Sequence, residues 1–185
     1  THAFLAEKAL AAPDTRRFVI NCLQWAGAGH APLNVAVYRM PAFEQWLRED
    51  PDARRIPIRV MHWTQINPSF LPATHVLVLN SHDLSSDTIG LVRDFVRKGG
   101  GLLVGGLGWG WSQLHPGKSL RDEFPGNLLL REMGIFWADG YVERSTRDGF
   151  TTSIVPGIEH HASEAAKLLK PAKGRKDDVS DTEIE

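Results

Sequence analysis

The amino-acid sequence predicts an α/β fold built on a mostly parallel sheet. The clearest strand is His75 to Asn80 (HVLVLN), whose continuous apolar run is typical of a parallel strand covered on both faces. A helical pattern follows it, and the glycines at 99–101 end that helix before another short apolar run. Alternating strands and helices imply right-handed parallel crossovers, so the predicted class is a three-layer flavodoxin-like or related fold.

Two helices are predicted before the first strand. An Ala-rich stretch from residue 3 to residue 12 is broken by Pro13, and Asp14 is placed to cap a second helix. Gly27 ends this second helix. The apolar residues at helical spacing that predict its buried face are Phe18, Val19, Cys22, Leu23, Trp25 and Ala26.

Two further strands frame the next helix. Asn34 to Arg39 (NVAVYR) has the composition of a strand, and Pro41 opens a helix after it. Pro57 to Trp63 (PIRVMHW) is the second strand, and His75 to Asn80 is the third. The sequence therefore contains a complete β-to-α-to-β step in its first half.

The fourth strand is predicted at Leu102 to Val104. Before it, Ser85 or Ser86 caps a helix, and Gly99 takes the left-handed position that terminates that helix. After it, residues 105–111 (GGLGWGW) are predicted to open a long loop, because their glycines disfavour a helix.

A short helix and a fifth strand are predicted to complete the domain. Asn127 is placed to cap a helix from Leu128 to Met133, Gly134 stops it, and Ile135 to Trp137 forms the strand. We predict a single α/β domain over residues 1–169 with its core at about 14–141. Residues 170–185 are polar and almost free of large apolar groups, which is typical of a linker or disordered tail.

Composition excludes several classes of partner. The chain has 185 residues and a net charge of −1, so no basic surface favours nucleic acid or an anionic membrane. No apolar run approaches the roughly 18 residues of a membrane span. The single cysteine, Cys22, cannot form an internal disulfide, and its apolar helical context indicates a buried small hydrophobe.

Polar and aromatic residues are concentrated where the predicted strands end. The carboxyl ends of parallel strands meet at one edge of a sheet, which is the usual place for a ligand site in an open α/β fold. The candidate ligand-binding residues at this edge are Asn80, Ser81, His82, Asp83, Gly106, Trp109, Trp111, Gln113 and His115.

No coherent catalytic set is recognisable at this edge. Neighbouring residues in extended chain point to opposite faces, so residues 80–83 (NSHD) can hardly form a hydrolytic triad. Asn80 and Ser81 could instead satisfy loop backbone groups. The sequence lacks a G-x-S-x-G elbow, and residues 105–111 do not match G-x-G-x-x-G, so no nucleotide cofactor is predicted.

Metal binding has equally little support. His160 and His161 are adjacent, and the chain has no HExxH spacing for a zinc peptidase. His62, His82 and His115 all fall near the predicted edge, but no carboxylate or cysteine framework accompanies them. Trp109 and Trp111 have two interpretations, as plugs that pack the loop onto the sheet or as a platform for a ligand.

One segment carries a family resemblance. Residues 98–119 (KGGGLLVGGLGWGWSQLHPGKS) and 122–137 (DEFPGNLLLREMGIFW) resemble the α/β domain that precedes the catalytic part of enhancin-like, mucin-directed metallopeptidases and of the TRP channel-associated factors. That domain is similar to the class I glutamine amidotransferase-like group. The resemblance implies a secreted or cell-surface accessory module, with the peptidase motif in a separate downstream domain.

The sequence departs from an active amidotransferase-like domain at its nucleophile. That group normally carries a catalytic cysteine at a strand-to-helix turn, whereas Cys22 lies in a predicted helix. We therefore expect a non-catalytic module that recognises a glycan, a glycoprotein or a downstream peptidase domain. A small hydrolase or amidase using Ser81 or His82 is the alternative, and a purely structural interdomain docking module is the third interpretation.

Overall fold

The structure is a computed structural model that describes residues 5–82 and 84–138. These residues belong to the first of two units into which the chain divides, Thr1–Tyr141. The predicted polar tail and the predicted domain boundary at residue 169 lie outside the described residues. Within those ranges no helix is long and apolar enough to cross a bilayer.

The described residues contain seven helices and four strands. Short 3-10 turns lie at Ala53–Arg55, Leu71–Ala73 and Arg131–Met133. In chain order the elements are α1 (Glu7–Leu10), α2 (Pro13–Ala26), β1 (Leu33–Tyr38), α3 (Pro41–Glu49), β2 (Ile58–Trp63), β3 (Val76–Asn80), α4 (Ser86–Arg97), β4 (Gly101–Gly105), α5 (Gly108–Leu114), α6 (Leu120–Glu123) and α7 (Pro125–Leu130).

The four described strands form one parallel sheet in the order β2-β1-β3-β4. In register, Val35 of β1 lies between Val60 of β2 and Val76 of β3. From β1 the chain adds β2 on one side, and it then crosses back over β1 to add β3 and β4 on the other side. The strand order therefore reverses between β1 and β3. The predicted α/β class and the parallel sheet are confirmed.

Strand alternation divides the core into two clusters. Val35 and Val37 of β1 face the cluster that α2 and α3 complete, whereas Ala36 and Tyr38 face the cluster completed by α4 and α7. Successive strand side chains point to opposite faces, so a strand apolar at every position serves both layers. The result is a helix, sheet, helix arrangement.

The buried face of α2 agrees with the predicted face at Val19 and Leu23 but not at Phe18 and Trp25. Val19, Ile20 and Leu23 are buried, but Phe18 is 55% exposed and Trp25 is 86% exposed. The helix is apolar around most of its circumference, so periodicity alone permits more than one rotation about its axis. The predicted cap is also wrong, because α2 begins at Pro13 without a side-chain hydrogen bond to its first turn. Burial raises the pKa of the half-buried Cys22 thiol.

The termini of α4 confirm two predictions. Ser85 Oγ accepts a hydrogen bond from the Thr88 N–H at 3.2 Å, which satisfies one unpaired donor of the first turn. At the other end Gly99 adopts φ +92°, and its N–H donates to Val96 O at 2.9 Å. The Gly100 N–H donates to Phe95 O at 3.0 Å, which completes a Schellman motif.

Three predictions after β4 are wrong. Residues 105–111 are not the start of a long loop, because α5 begins at Gly108 despite the glycines at 108 and 110 and buries Trp111. Ile135 to Trp137 does not form a strand. Asn127 is not a helix cap, because it lies inside α7 with its side chain buried.

The Asn127 side chain takes the place of the absent strand partner. Its Oδ1 accepts a hydrogen bond from the Trp137 N–H at 2.7 Å, and its Nδ2 donates to Trp137 O at 3.1 Å and to Leu120 O at 3.0 Å. A primary amide has the same donor and acceptor as a peptide group. The Asn127 side chain thus forms the hydrogen bonds with the Trp137 backbone that a neighbouring strand would otherwise form. The sheet of described strands does not extend to this residue.

Candidate functional site

Ser81 lies at the centre of the predicted site and is completely buried. Its N–H donates to Gly105 O at 2.8 Å, which continues the pairing of β3 with β4 by one residue. Among the described residues, no group forms a hydrogen bond with Ser81 Oγ. A serine nucleophile needs a neighbouring base and access for its substrate, and this hydroxyl has neither within the described residues.

Two glycines close the space around Ser81. A Cβ added at Gly106 would lie 2.0 Å from Ser81 Oγ, and one added at Gly126 would lie 2.9 Å from Ser81 Cβ. Both distances are far below van der Waals contact. Gly106 and Gly126 are therefore required for close packing, and the sequence-predicted role of Gly106 in ligand binding stays a prediction.

His82 and Asn80 form hydrogen bonds with the loop backbone. His82 Nε2 accepts from the Leu107 N–H at 2.9 Å, and the imidazole meets the Phe124 ring edge-on at 5.7 Å between centroids. Asn80 is exposed, and its Oδ1 accepts from the His82 N–H at 3.1 Å. These are the loop-satisfying contacts weighed above for Asn80. Asp83 lies outside the described residues.

Trp111 packs in the interior instead of presenting a platform. Its side chain is 4% exposed, stacks on His115 at 4.4 Å and contacts Phe124 at 5.4 Å between ring centroids. His115 Nδ1 donates to Trp111 O at 2.9 Å, so His115 contributes to the same packing. Trp109 is half-buried on the same helix and Gln113 is exposed. The structure thus gives Trp111 the role of a plug.

The three histidines predicted near this edge do not form a metal site with other ligands. His62 Nδ1 forms a hydrogen bond with Glu44 Oε2 on α3, His82 pairs with the Leu107 backbone, and His115 pairs with α5. Within residues 5–82 and 84–138, no group of three or more His, Cys, Asp or Glu side chains could hold a metal ion.

The outer edge of β4 is open in the described part of the chain. The Gly101 N–H donates to His75 O and Gly105 O accepts from Ser81, so the odd-numbered residues pair with β3. Because strand backbone groups alternate in direction, Leu102 and Val104 present their N–H and C=O to the outer side. An apolar groove of about 520 Å³ follows this edge, and its lining includes Trp25, Leu102, Val104, Leu130, Ile135 and Trp137.

A second opening lies at the amino end of the sheet, opposite the predicted site. This pocket has a volume of about 500 Å³ and lies between the carboxyl-terminal ends of α2 and α4 and the loop before β3. His30 and His75 stack at its rim with 3.9 Å between ring centroids. Burial, and to a lesser extent the neighbouring His30, lower the pKa of His75.

Sequence reasoning missed both openings. The sequence has more large apolar side chains, Trp25 and Ile135 among them, than the sheet can cover. Such an excess indicates exposed apolar surface, so the groove could have been suspected from the sequence. The amino-end pocket has no such signal, because it depends on how far α4 extends past β3 and on the small residues at 26–28. Neither can be read from a motif.

A comparison with known protein families identifies the family to which this chain belongs. The family model TCAF_N, described as "TRPM8, N-terminal domain", matches residues 4–149. The chain belongs to this family. No solved structure gives a significant match.

The matched relatives are TRPM8 channel-associated factors. The chain is 31% identical over 94 residues to the homolog from Danio rerio, which covers 45% of this chain and 10% of the relative. It is 32% identical over 91 residues to factor 2 from Homo sapiens, covering 49% and 10%. It is 50% identical over 44 residues to human factor 1, covering 24% and 5%. The matches thus span a tenth or less of these relatives.

These matches confirm one part of the family resemblance. The TRP channel-associated factors are relatives of this chain, as the resemblance implied. The enhancin-like metallopeptidase context, the secreted location and the glycan ligand have no support from them and stay predictions. The likeness to glutamine amidotransferases likewise stays a prediction.

Proposed function

We propose that this chain is a non-catalytic docking domain that binds an extended, apolar segment of a partner protein along the open edge of β4. The observation that carries the proposal is the geometry of Leu102 and Val104, whose backbone groups face outward in an apolar groove. An added strand satisfies such groups by main-chain hydrogen bonds, and pockets for alternate side chains give specificity.

The chemistry of the groove favours a protein segment over a glycan. The lining side chains are apolar, and Trp25 and Ile135 are exposed beside the strand. A glycan needs several polar side chains to replace its hydrogen bonds with water, whereas an apolar strand needs a flat edge and buried surface. An open hydrophobic edge without charged residues is also a hazard for aggregation unless a partner covers it.

The names of the relatives supply the class of partner. They are called TRPM8 channel-associated factors, so we propose that the partner is an ion channel of that kind. The strand order β2-β1-β3-β4 also agrees with the start of the flavodoxin-like order 2-1-3-4-5, which supports the finer fold assignment.

The test is a binding measurement with purified, detergent-solubilised TRPM8 channel. Leu102→Pro removes an outward N–H and blocks strand addition, and proline is tolerated on an edge strand where its nitrogen faces outward. We expect Leu102→Pro to weaken binding at least tenfold. The matched control is Phe70→Ser, which removes an exposed apolar side chain outside the groove and is expected to bind as the wild type does.

Two outcomes would overturn the proposal. One is an absence of binding by the wild-type chain at micromolar concentration, and the other is unchanged binding by Leu102→Pro. Thermal unfolding of each variant accompanies the measurement, so a loss of binding is scored only for folded protein. Trp25→Ser, on the exposed side of α2, gives a second variant whose folding does not depend on the strand.

A further inference from the structure

The amino-end pocket adjoins the apolar groove along β4 at Ala26, Gly99 and Gly100, and it has its own polar groups. We propose that this pocket binds a carboxylate attached to an apolar body, either as a small free acid or as the carboxyl-terminal residue of a peptide. The proposal goes beyond the docking function and does not depend on it. It rests on three features of the pocket: its apolar floor, a fixed hydrogen-bond donor and an uncompensated positive charge.

The floor of the pocket is apolar and of suitable size. Its apolar lining includes Leu71, Pro72, Leu91 and Phe95, and its volume of about 500 Å³ is in the range of small-molecule sites. The Phe95 ring is held in place by Gly100, where an added Cβ would lie 2.3 Å from the ring. The floor therefore has a defined shape.

His75 supplies the donor. The Asn34 N–H donates to His75 Nδ1 at 3.0 Å, so in the neutral ring the proton is on Nε2. His75 lines the pocket, and its ring is stacked nearly parallel to His30, at 6° between planes. The stack and the Asn34 hydrogen bond fix the orientation of the ring. Its Nε2–H is thus a donor of fixed orientation on a ring that lines the pocket.

Lys98 supplies the charge. Asp94 and Lys98 both line the pocket, but Asp94 Oδ1 accepts from Arg97 at 3.0 Å. No ion pair of Lys98 is found among the described residues. The carbonyls at the end of α4 are satisfied by Gly99 and Gly100, which limits their repulsion of an anion. The uncompensated charge at the rim is therefore positive, and a carboxylate complements it.

Matched acids and amides test the chemistry. The probes are 3-phenylpropionate against 3-phenylpropionamide, and a tripeptide ending in phenylalanine against the same tripeptide with an amidated end. Binding to the full chain is followed by NMR at the backbone amides of Ala28, Thr74 and Leu91, which line this pocket and not the groove along β4. We expect at least one acid to bind ten times more tightly than its amide. Which acid does so distinguishes a small ligand from a peptide terminus.

Variants of His75 and Lys98 separate the contributions. His75→Asn keeps an acceptor for the Asn34 N–H, because Asn Oδ1 occupies the place of Nδ1, but its Nδ2 donor does not reach the position of Nε2. Lys98→Met keeps the aliphatic stem and removes the charge. We expect each to weaken binding of the acid at least fivefold. Lys98→Met should leave binding of the amide unchanged, whereas His75→Asn should also weaken it, because the amide carbonyl accepts from the same Nε2–H.

The control and the contrary results complete the test. Lys118→Met removes an exposed lysine on a distant loop and is expected to change nothing. Leu91→Trp fills the pocket from α4 and is expected to abolish the shifts caused by every probe. Equal affinity for acid and amide, unchanged acid affinity in Lys98→Met, or no shift with any probe would each overturn the proposal.

Discussion

The two ends of one sheet differ in how much space they leave. At the carboxyl end, where open α/β folds usually bind ligands, Ser81 is fully buried under Gly106 and Gly126. At the amino end, a pocket of about 500 Å³ remains between α2 and α4. The difference teaches that strand direction indicates where a site is commonly built, but the side chains and helices after each strand decide whether space remains there.

The packing at the carboxyl end has an identifiable cause. After β4 the chain enters α5 with only residues 106 and 107 between them, and α6 and α7 follow closely. The rings of Trp111, Phe124 and Trp137 then fill the volume above β3 and β4. Aromatic side chains bury a large area each, so three of them occupy what would otherwise be a ligand cleft.

The largest effect is expected for Gly106→Ala at the closed end. The new methyl group would lie 2.0 Å from Ser81 Oγ and 3.4 Å from the Trp137 ring, so the packing around residue 81 must shift. We expect a loss of about 3 kcal/mol in the free energy of unfolding, as for an overpacked core. Denaturation in urea measures it.

A second substitution makes that prediction specific. In Ser81→Ala combined with Gly106→Ala, the clashing oxygen is removed, and the Gly106 methyl group then lies 3.4 Å from the Cβ of residue 81. Most of the lost stability should return. A Gly106→Ala protein within 1 kcal/mol of the wild type would contradict the close packing described at this end.

A smaller effect of opposite sign is expected at the open end. Ala28 lines the amino-end pocket with φ +49°, a left-handed conformation that is unfavourable for an L-residue by roughly 1 kcal/mol. Ala28→Gly relieves this strain, although glycine gains entropy in the unfolded chain, so we expect a net stabilisation of about 0.5 kcal/mol.

The neighbouring glycine provides the matched control for Ala28. Gly29 has φ +79°, and an added Cβ would meet no atom within 4 Å. Gly29→Ala should therefore cost about 1 kcal/mol from backbone strain alone. Backbone strain predicts effects of opposite sign for Ala28→Gly and Gly29→Ala. A loss of stability in both variants would show that backbone strain does not determine stability at this end. Urea denaturation of both variants decides.

The smallest effect is the pH dependence of stability at the open end. The pKa of His75 is lowered in the folded protein by burial and by His30, so the unfolded chain binds this proton more readily. Stability should be unaffected well above the ordinary value of 6.5 and should fall as the pH drops below it. The effect is small because the ring is half-exposed.

His75→Asn isolates this contribution. The variant keeps the acceptor for Asn34 and has no titrating group, so its urea midpoint should decline less between pH 7.5 and pH 5 than that of the wild type. Identical declines would show that other groups dominate the acid response.

Local chemistry made much of the fold predictable. The continuous apolar run of β3, the Pro41 start of α3, the Ser85 cap and the left-handed Gly99 each follow from the residue types alone. In each case a few adjacent atoms decide the conformation. Predictions of this kind are reliable because no distant part of the chain competes with them.

The incorrect predictions depended on distant parts of the chain. The rotation of α2 is set by the sheet, since its sequence has apolar residues on more than one side. The helix α5 contains two glycines, Gly108 and Gly110, and forms because Trp111 buries its ring against Phe124. This tertiary contact outweighs the low helix propensity of glycine. The ligand-binding role of the candidate site stays a prediction: topology located it at an edge, and whether that edge is open depends on side-chain volume.

The Asn127 amide has a consequence for how sequences of this family are read. Aspartate at this position could not donate to Trp137 O and Leu120 O, and glutamine would displace the amide by a methylene group. We therefore expect asparagine to be invariant among relatives at this position. An invariant buried polar residue is readily interpreted as catalytic. Here its invariance would instead reflect the hydrogen bonds that the Asn127 amide forms with the backbone beyond the last described strand.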